Sequence, residues 1–426
     1  MQGLKRRLVT CLYIKVLYHM LPNTKQDNNH INCNVSQIHL VRAIACIGVV
    51  VTHARFVLWS GGQAYLEQHP LAQWSWYEFP VFFFDLVTSL GRPRVFFFFL
   101  LSGFFLQYST RTAFCPKAFL RHRFLRLYPA YLIATLVAVA VFYVSLTHIN
   151  PALATGSERE FNGLLRRGAA NMSWGPFRDT LLFIRPATVA FAATPHFWSM
   201  LHEVVFCLLF PFYHRLSVRK RLALTGTVLV LGWTVNSLLI QAQLFFLLGM
   251  LGYDFFSRGY RLPWLLPNWA YYGAFSCLYL ATYGAGKLGW FWSACVPMVG
   301  LAFLLFDFIL TRPIRVPKLC VFISRASYAI YLNHFWALLL YYAVLSRLTG
   351  ELVFYSRWPY YSGVLVAVLL SLPAYWLVDK RVGAYVAQLK SPLAQPLSPP
   401  TPQTAYPIGR QAYAAPDIIS SQVAVY

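Results

Sequence analysis

Long apolar runs separated by short basic connections constrain this chain more than any other feature. A membrane-crossing helix needs about 20 largely apolar residues, and the sequence offers about ten candidates: 38–59, 80–108, 127–146, 196–214, 222–240, 242–256, 268–283, 288–310, 326–346 and 360–378. With 58% hydrophobic and 12% charged residues, the 426-residue chain does not suit a soluble surface. Trp and Tyr, favoured where hydrocarbon meets headgroups, contribute to an aromatic content of 18%. The expected fold class is therefore all-α, a polytopic integral membrane bundle of about ten transmembrane helices.

The net charge of +23 raises the question of nucleic acid, and the position of the charge answers it. Basic residues cluster between apolar runs, as in Arg121, Arg123 and Arg126, then Arg215, Arg219, Lys220 and Arg221, then Arg312, Arg315, Lys318 and Arg325. Residues 60–79 on the opposite side carry no Lys or Arg. The long stretch 147–195 is basic too, but long loops obey the positive-inside rule poorly. Both termini are expected in the cytoplasm, and no nucleic-acid partner is expected.

The eight cysteines are scattered without CxxC spacing and read as small core residues, so neither a metal site nor a disulfide framework is expected. Residues 1–35 read as an N-terminal interfacial or cytoplasmic segment, with Leu8, Leu12, Val16 and Met20 at helical spacing. Residues 36–385 form the transmembrane domain. Residues 386–426, rich in Pro, Ala, Gln and Ser, read as a disordered cytoplasmic tail.

Ionisable groups inside an apolar span cost a few kcal/mol on insertion scales, so each asks for a functional reading or a packing partner. Arg42 and His53 share the first span, about 16 Å apart along a helix, with Arg42 about 6 Å and His53 about 22 Å from the inner boundary. Glu203, counted from an outer boundary at His196, lies about 10 Å deep. It is thus expected level with His53, where a carboxylate would orient an imidazole and favour its protonated form. Arg121, Arg123 and Arg126 either anchor to anionic headgroups or clamp the phosphates of a donor nucleotide, with Arg42 extending the clamp. Tyr328, Tyr331, Asn333 and His334 fall within two turns of a late span, where they either line a cavity or staple helices together.

Taken in order, these residues resemble the motifs of acyltransferase family 3, the membrane-bound O-acyltransferases that include O-antigen and exopolysaccharide acetylases. Arg42 and His53 match its Arg, ten residues, His hallmark. RVFFFFLLSGF matches an FF-x-LSGF element, although Arg94 and Phe96 replace the Gly and the acidic or Pro residue common before it. Arg121, Arg123, Arg126, Tyr128 and Pro129 match an arginine-rich stretch leading into YP. Trp198, Ser199 and Glu203 match WSL-x-x-E, with Met200 for Leu. Ser327, Tyr328, Tyr331, Leu332 and His334 match G-x-x-SY-x-x-YL-x-H, with Ser324 for Gly. A closing E-R-P is only echoed by Asp379, Lys380 and Arg381.

The resemblance runs from about residue 36 to 385 and implies acyl transfer from acyl-CoA, typically acetyl-CoA, to a hydroxyl of a carbohydrate or small molecule. Acyl-CoA is then a co-substrate, and no permanently bound cofactor is implied. In the roles it suggests, His53 and Glu203 are catalytic and Arg42, Arg121, Arg123 and Arg126 bind the donor. Trp198, Ser199, Tyr328, Tyr331 and His334 line the cavity. Direct transfer and a covalent acyl-imidazole on His53 both remain open. Two other readings use the same residues: a transporter or flippase in which they form a pathway, and a sensor derived from an inactive enzyme.

Overall fold

The computed structural model of the protein describes residues 35–390 apart from 62, 89–90, 112–113, 156–158, 185–193, 236, 259–266, 288–296, 302–303, 305–306 and 308–314. The expected amphipathic segment at 5–21, most of the span at 288–310 and residues 391–426 lie outside the described residues. The helices in chain order are α1 (Val35–Leu58), α2 (Gln63–Gln68), α3 (Glu78–Val87), α4 (Gly91–Ser109), α5 (Pro116–Val144), α6 (Glu160–Ala170), α7 (Trp174–Leu181), α8 (Trp198–Arg215), α9 (Val218–Thr234), α10 (Leu238–Ser257), α11 (Asn268–Lys287), α12 (Lys318–Thr349), α13 (Trp358–Ala374) and α14 (Lys380–Lys390). Among the described residues there is no strand. Among the described residues, five helical stretches are long and apolar enough to cross a membrane: Gln37–Leu58, Pro116–Ile149, Leu238–Ser257, Lys318–Thr349 and Trp358–Val386.

In lipid, apolar side chains gain little by leaving hydrocarbon, so helices associate where small residues let backbones approach. The α4–α10 crossing has that device on both sides. A Cβ on Gly103 would collide with the carbonyl of Phe246, and one on Gly249 would collide with the carbonyl of Leu100. Around the crossing, stacked rings fill the space, with Phe96 against Phe245 at 4.8 Å and Phe206 against Phe246 at 4.0 Å between centroids.

The second packing axis is the pair α1 and α12. Polar side chains tie them at successive levels: His39 to Ser324 at 2.8 Å, Arg42 Nε donating to Ser327 Oγ at 2.7 Å, and His53 to His334 at 2.7 Å. The partners advance together, so the helices run parallel. Arg159 finishes α1 by donating to the carbonyls of Phe56 and Val57 at 3.0 and 3.1 Å, a cation placed where helix carbonyls lack partners. Gly350, with φ of 73°, ends α12 in the left-handed conformation that a side chain resists.

Three expectations change. The second expected span, 80–108, is two helices, α3 and α4, and Arg94 near the start of α4 donates to the carbonyls of Gly48 at 2.6 Å and Thr88 at 3.0 Å. The fourth span brings His196, and not Glu203, level with His53. His196 sits beside His53, with ring centroids 6.0 Å apart, and the end of α7 packs against the middle of α5, where Tyr131 donates to the carbonyl of Thr180 at 2.6 Å and stacks on Phe183 at 4.4 Å. Finally, α14 runs to Lys390, past residue 386, where the sequence places the start of the tail.

Candidate active site

Eleven residues are close to three full turns, so Arg42 and His53 share one face of α1, the face toward α12. That geometry produces two adjoining regions. The first is a cavity of about 130 Å³ between α1, α4, α5, α8 and α12. Arg42, Arg123 and Arg126 enter it against a single carboxylate, Glu203, and its other walls are mainly apolar. Ser102 Oγ donates to Glu203 Oε1 at 2.8 Å, which holds the carboxylate in place. A cavity with three guanidinium groups and one carboxylate is suited to a polyanion carrying an uncharged arm.

The second region is a cluster of three imidazoles. His53 stacks on His334 with centroids 5.0 Å apart, and His196 lies 4.6 Å from His334 and 6.0 Å from His53. His334 and His196 are sealed, at 0% and 1% exposure, whereas His53 is only partly buried. Among the described residues no three His, Cys, Asp or Glu side chains are arranged to hold a metal ion.

Hydrogen bonding fixes where the protons of this cluster lie. His334 Nδ1 is 3.0 Å from the carbonyl of Ile330, which can only accept, so Nδ1 carries the hydrogen. In the uncharged ring His334 Nε2 is then a lone pair. His53 Nδ1, 2.7 Å away, must donate to it, which leaves the lone pair of His53 on Nε2. An imidazole oriented through one nitrogen and unprotonated at the other is the form a general base requires.

Between the two regions stands Tyr331. It lines the cavity, its hydroxyl hydrogen-bonds to Ser199 Oγ and donates to the carbonyl of His196 at 2.9 Å, and its ring lies 5.9 Å from that of His334.

The sequence-derived residues thus divide. Arg42, Arg123, Arg126, Glu203, Ser199, Tyr328 and Tyr331 line the cavity, and His53 and His334 form the adjoining pair. The expected contact between His53 and Glu203 is absent: Glu203 bonds Ser102 and His53 bonds His334. Because α8 begins level with His53, Glu203 lies seven residues, about 10 Å, further toward the Arg42 end. Arg121 is exposed and outside the cavity lining. Trp198 also stays outside, packing edge-on to Phe99 at 6.3 Å and His202 at 5.5 Å. Tyr328 both lines the cavity and staples helices, donating to the carbonyl of Leu127 at 2.8 Å. Asn333 only braces its own helix, through the carbonyl of Ala329 and Trp336 Nε1.

Residues to which the sequence assigned no role complete the site. Ser327 holds Arg42, Ser102 holds Glu203, and His196 joins the imidazoles. Asp379, at the end of a π-turn at Tyr375–Asp379 that follows the helix-breaking Pro373, comes within electrostatic reach of Arg126.

The family described as "Acyltransferase domain" matches residues 35–376, which covers every residue of the cavity and the imidazole cluster. The chain belongs to this family, acyltransferase family 3. It is 37% identical over 134 residues to the acyltransferase MdmB of Streptomyces mycarofaciens, a match that covers 32% of this chain and 31% of that relative's length. No solved structure matches the chain.

Proposed function

We propose that this acyltransferase is a membrane-bound O-acyltransferase that moves an acyl group, acetyl in the first instance, from acyl-CoA to a hydroxyl of a carbohydrate or small molecule. The observation that carries the proposal is the adjacency of a cationic, apolar-walled cavity to an imidazole whose free nitrogen is fixed by its neighbour. Arg42, Arg123 and Arg126 bind the phosphates of the donor, and the pantetheine arm extends past Tyr331 toward His53. His53 Nε2 takes the proton of the acceptor hydroxyl as its oxygen attacks the thioester carbonyl carbon. The carbon–sulfur bond then breaks, and the thiolate recovers the proton from His53, giving an ester and free CoA.

In this scheme the Arg42 end of α1 faces the cytosol, where acyl-CoA is found, and both termini share that side. About ten helices then cross a bacterial inner membrane, with the acceptor approaching from the His53 end. Supplying purified protein with acetyl-CoA labelled in its acetyl group, together with simple glycosides and other small alcohols, tests the assignment. Labelled ester and stoichiometric free CoA are the expected products; substrate movement across vesicles without thioester consumption would point to a transporter instead.

A further inference from the structure

His196 is the one imidazole of the cluster whose ring nitrogens both lack a hydrogen-bond partner, although it is 1% exposed. The carbonyls of Leu332 and Tyr331 lie near the ring, yet neither nitrogen completes a hydrogen bond to them. A buried donor left without an acceptor is destabilising, and a phenylalanine would fill the same space without that penalty. The polar ring is therefore retained against stability, in contact with His53 and His334.

Two further observations give the ring a direction. His196 opens the turn that leads into α8, at the end of the helix where backbone N–H groups point outward and favour negative charge. Its own carbonyl is the anchor of the barrier between cavity and imidazoles, accepting from the Tyr331 hydroxyl at 2.9 Å, while Ser199 Oγ, 3.3 Å from the same carbonyl, gives its hydrogen to Tyr331. A thioester moving from the cavity toward His53 has to part those hydroxyls, and His196, its ring 5.4 Å from that of Tyr331 and 6.0 Å from that of His53, stands beside this path.

We propose that His196 is a catalytic residue whose ring N–H donates to the carbonyl oxygen of the acyl thioester and stabilises the oxyanion formed when the acceptor hydroxyl attacks. This inference rests on the acyl-transfer reading above. The N–H that has no acceptor within the protein finds one in the thioester carbonyl, and the bond strengthens as charge grows on the oxygen. No proton is transferred by His196 in this step: His53 takes the hydroxyl proton, and the negative charge on oxygen collapses back as the thiolate leaves.

The test compares wild type, His196→Phe, His196→Asn and His53→Ala as full-length chains in nanodiscs. Free CoA released from acetyl-CoA is followed with the hydroxyl acceptor that supports wild-type turnover, and thermal stability is measured in parallel. His196→Phe should lower kcat by about 10²- to 10³-fold, with KM for acetyl-CoA changed less than about threefold and a melting temperature equal to or above wild type. His196→Asn, which keeps an N–H donor, should recover at least about tenfold of that loss. Wild-type kcat in His196→Phe would overturn the inference, as would equal losses in Phe and Asn variants that follow a fall in melting temperature. If wild type releases no more CoA than His53→Ala, the acyl-transfer reading itself fails, and the inference with it.

Discussion

His53 donates from Nδ1 to Nε2 of His334 across 2.7 Å, and His334 in turn donates to the carbonyl of Ile330. Histidine in this chain therefore does what a carboxylate does in many general-base pairs: it selects the tautomer and fixes the ring. Replacing His334 with Phe keeps the stack but removes the acceptor. It should lower kcat by about 10²-fold or more, within the range attributed to a positioned base, while leaving acetyl-CoA binding intact. Steady-state kinetics with a binding measurement separates the two effects.

Glu203 has a different task, because no hydrogen bond joins it to His53. As the base, His53 must be uncharged, so kcat/KM should rise with pH and reach a plateau once its proton is lost. A carboxylate paired with His53 would hold that proton more tightly, and removing it would move the rise to lower pH. The expected result for Glu203→Gln is a profile that stays where it is, with a changed KM for acetyl-CoA. Paired pH–rate profiles decide between them.

The donor clamp can be tested by subtracting phosphates instead of side chains alone. Wild type should prefer acetyl-CoA to acetyl-pantetheine, which lacks the nucleotide. Arg42→Gln, Arg123→Gln and Arg126→Gln should each erode that preference by raising KM for acetyl-CoA only, at a loss of about 1.5–3 kcal/mol per charge-assisted bond removed. Arg121→Gln, at an exposed position, should retain wild-type discrimination.

Packing at the α4–α10 crossing makes a stability prediction. Gly103→Val or Gly249→Val pushes a side chain into the backbone of the opposing helix, an overpacking that costs about 1–3 kcal/mol or more. Each should yield less folded protein and a lower melting temperature in detergent. Gly226→Ala on α9, where an added Cβ meets nothing within 4 Å, is the control and should be neutral or slightly stabilising.

Part of this organisation was legible in the chain. Arg42 and His53 stood out because ionisable residues are rare in apolar runs, and their spacing fixes a shared helix face. The same helical geometry separates Arg121 from Arg123, two positions apart and about 200° around α5, from the i, i+3 pair Arg123 and Arg126. Depth along α8 was not readable, because counting residues from an apparent boundary assumes that the helix starts at the membrane surface. Here His196, two residues before α8, already lies beside His53. Ser102, Ser327 and Gly103 stood out only as members of the LSGF and SY-x-x-YL-x-H elements; the role of a serine in an apolar helix becomes readable only when its partner on another helix is known.

The most direct test of His53 as the proton acceptor is a single-turnover experiment on His53→Ala, with acetyl-CoA binding measured on the same sample. Donor affinity close to wild type together with a rate of CoA release lower by about 10²- to 10⁴-fold is the expected result. CoA release at the wild-type rate from the fully loaded variant would contradict it.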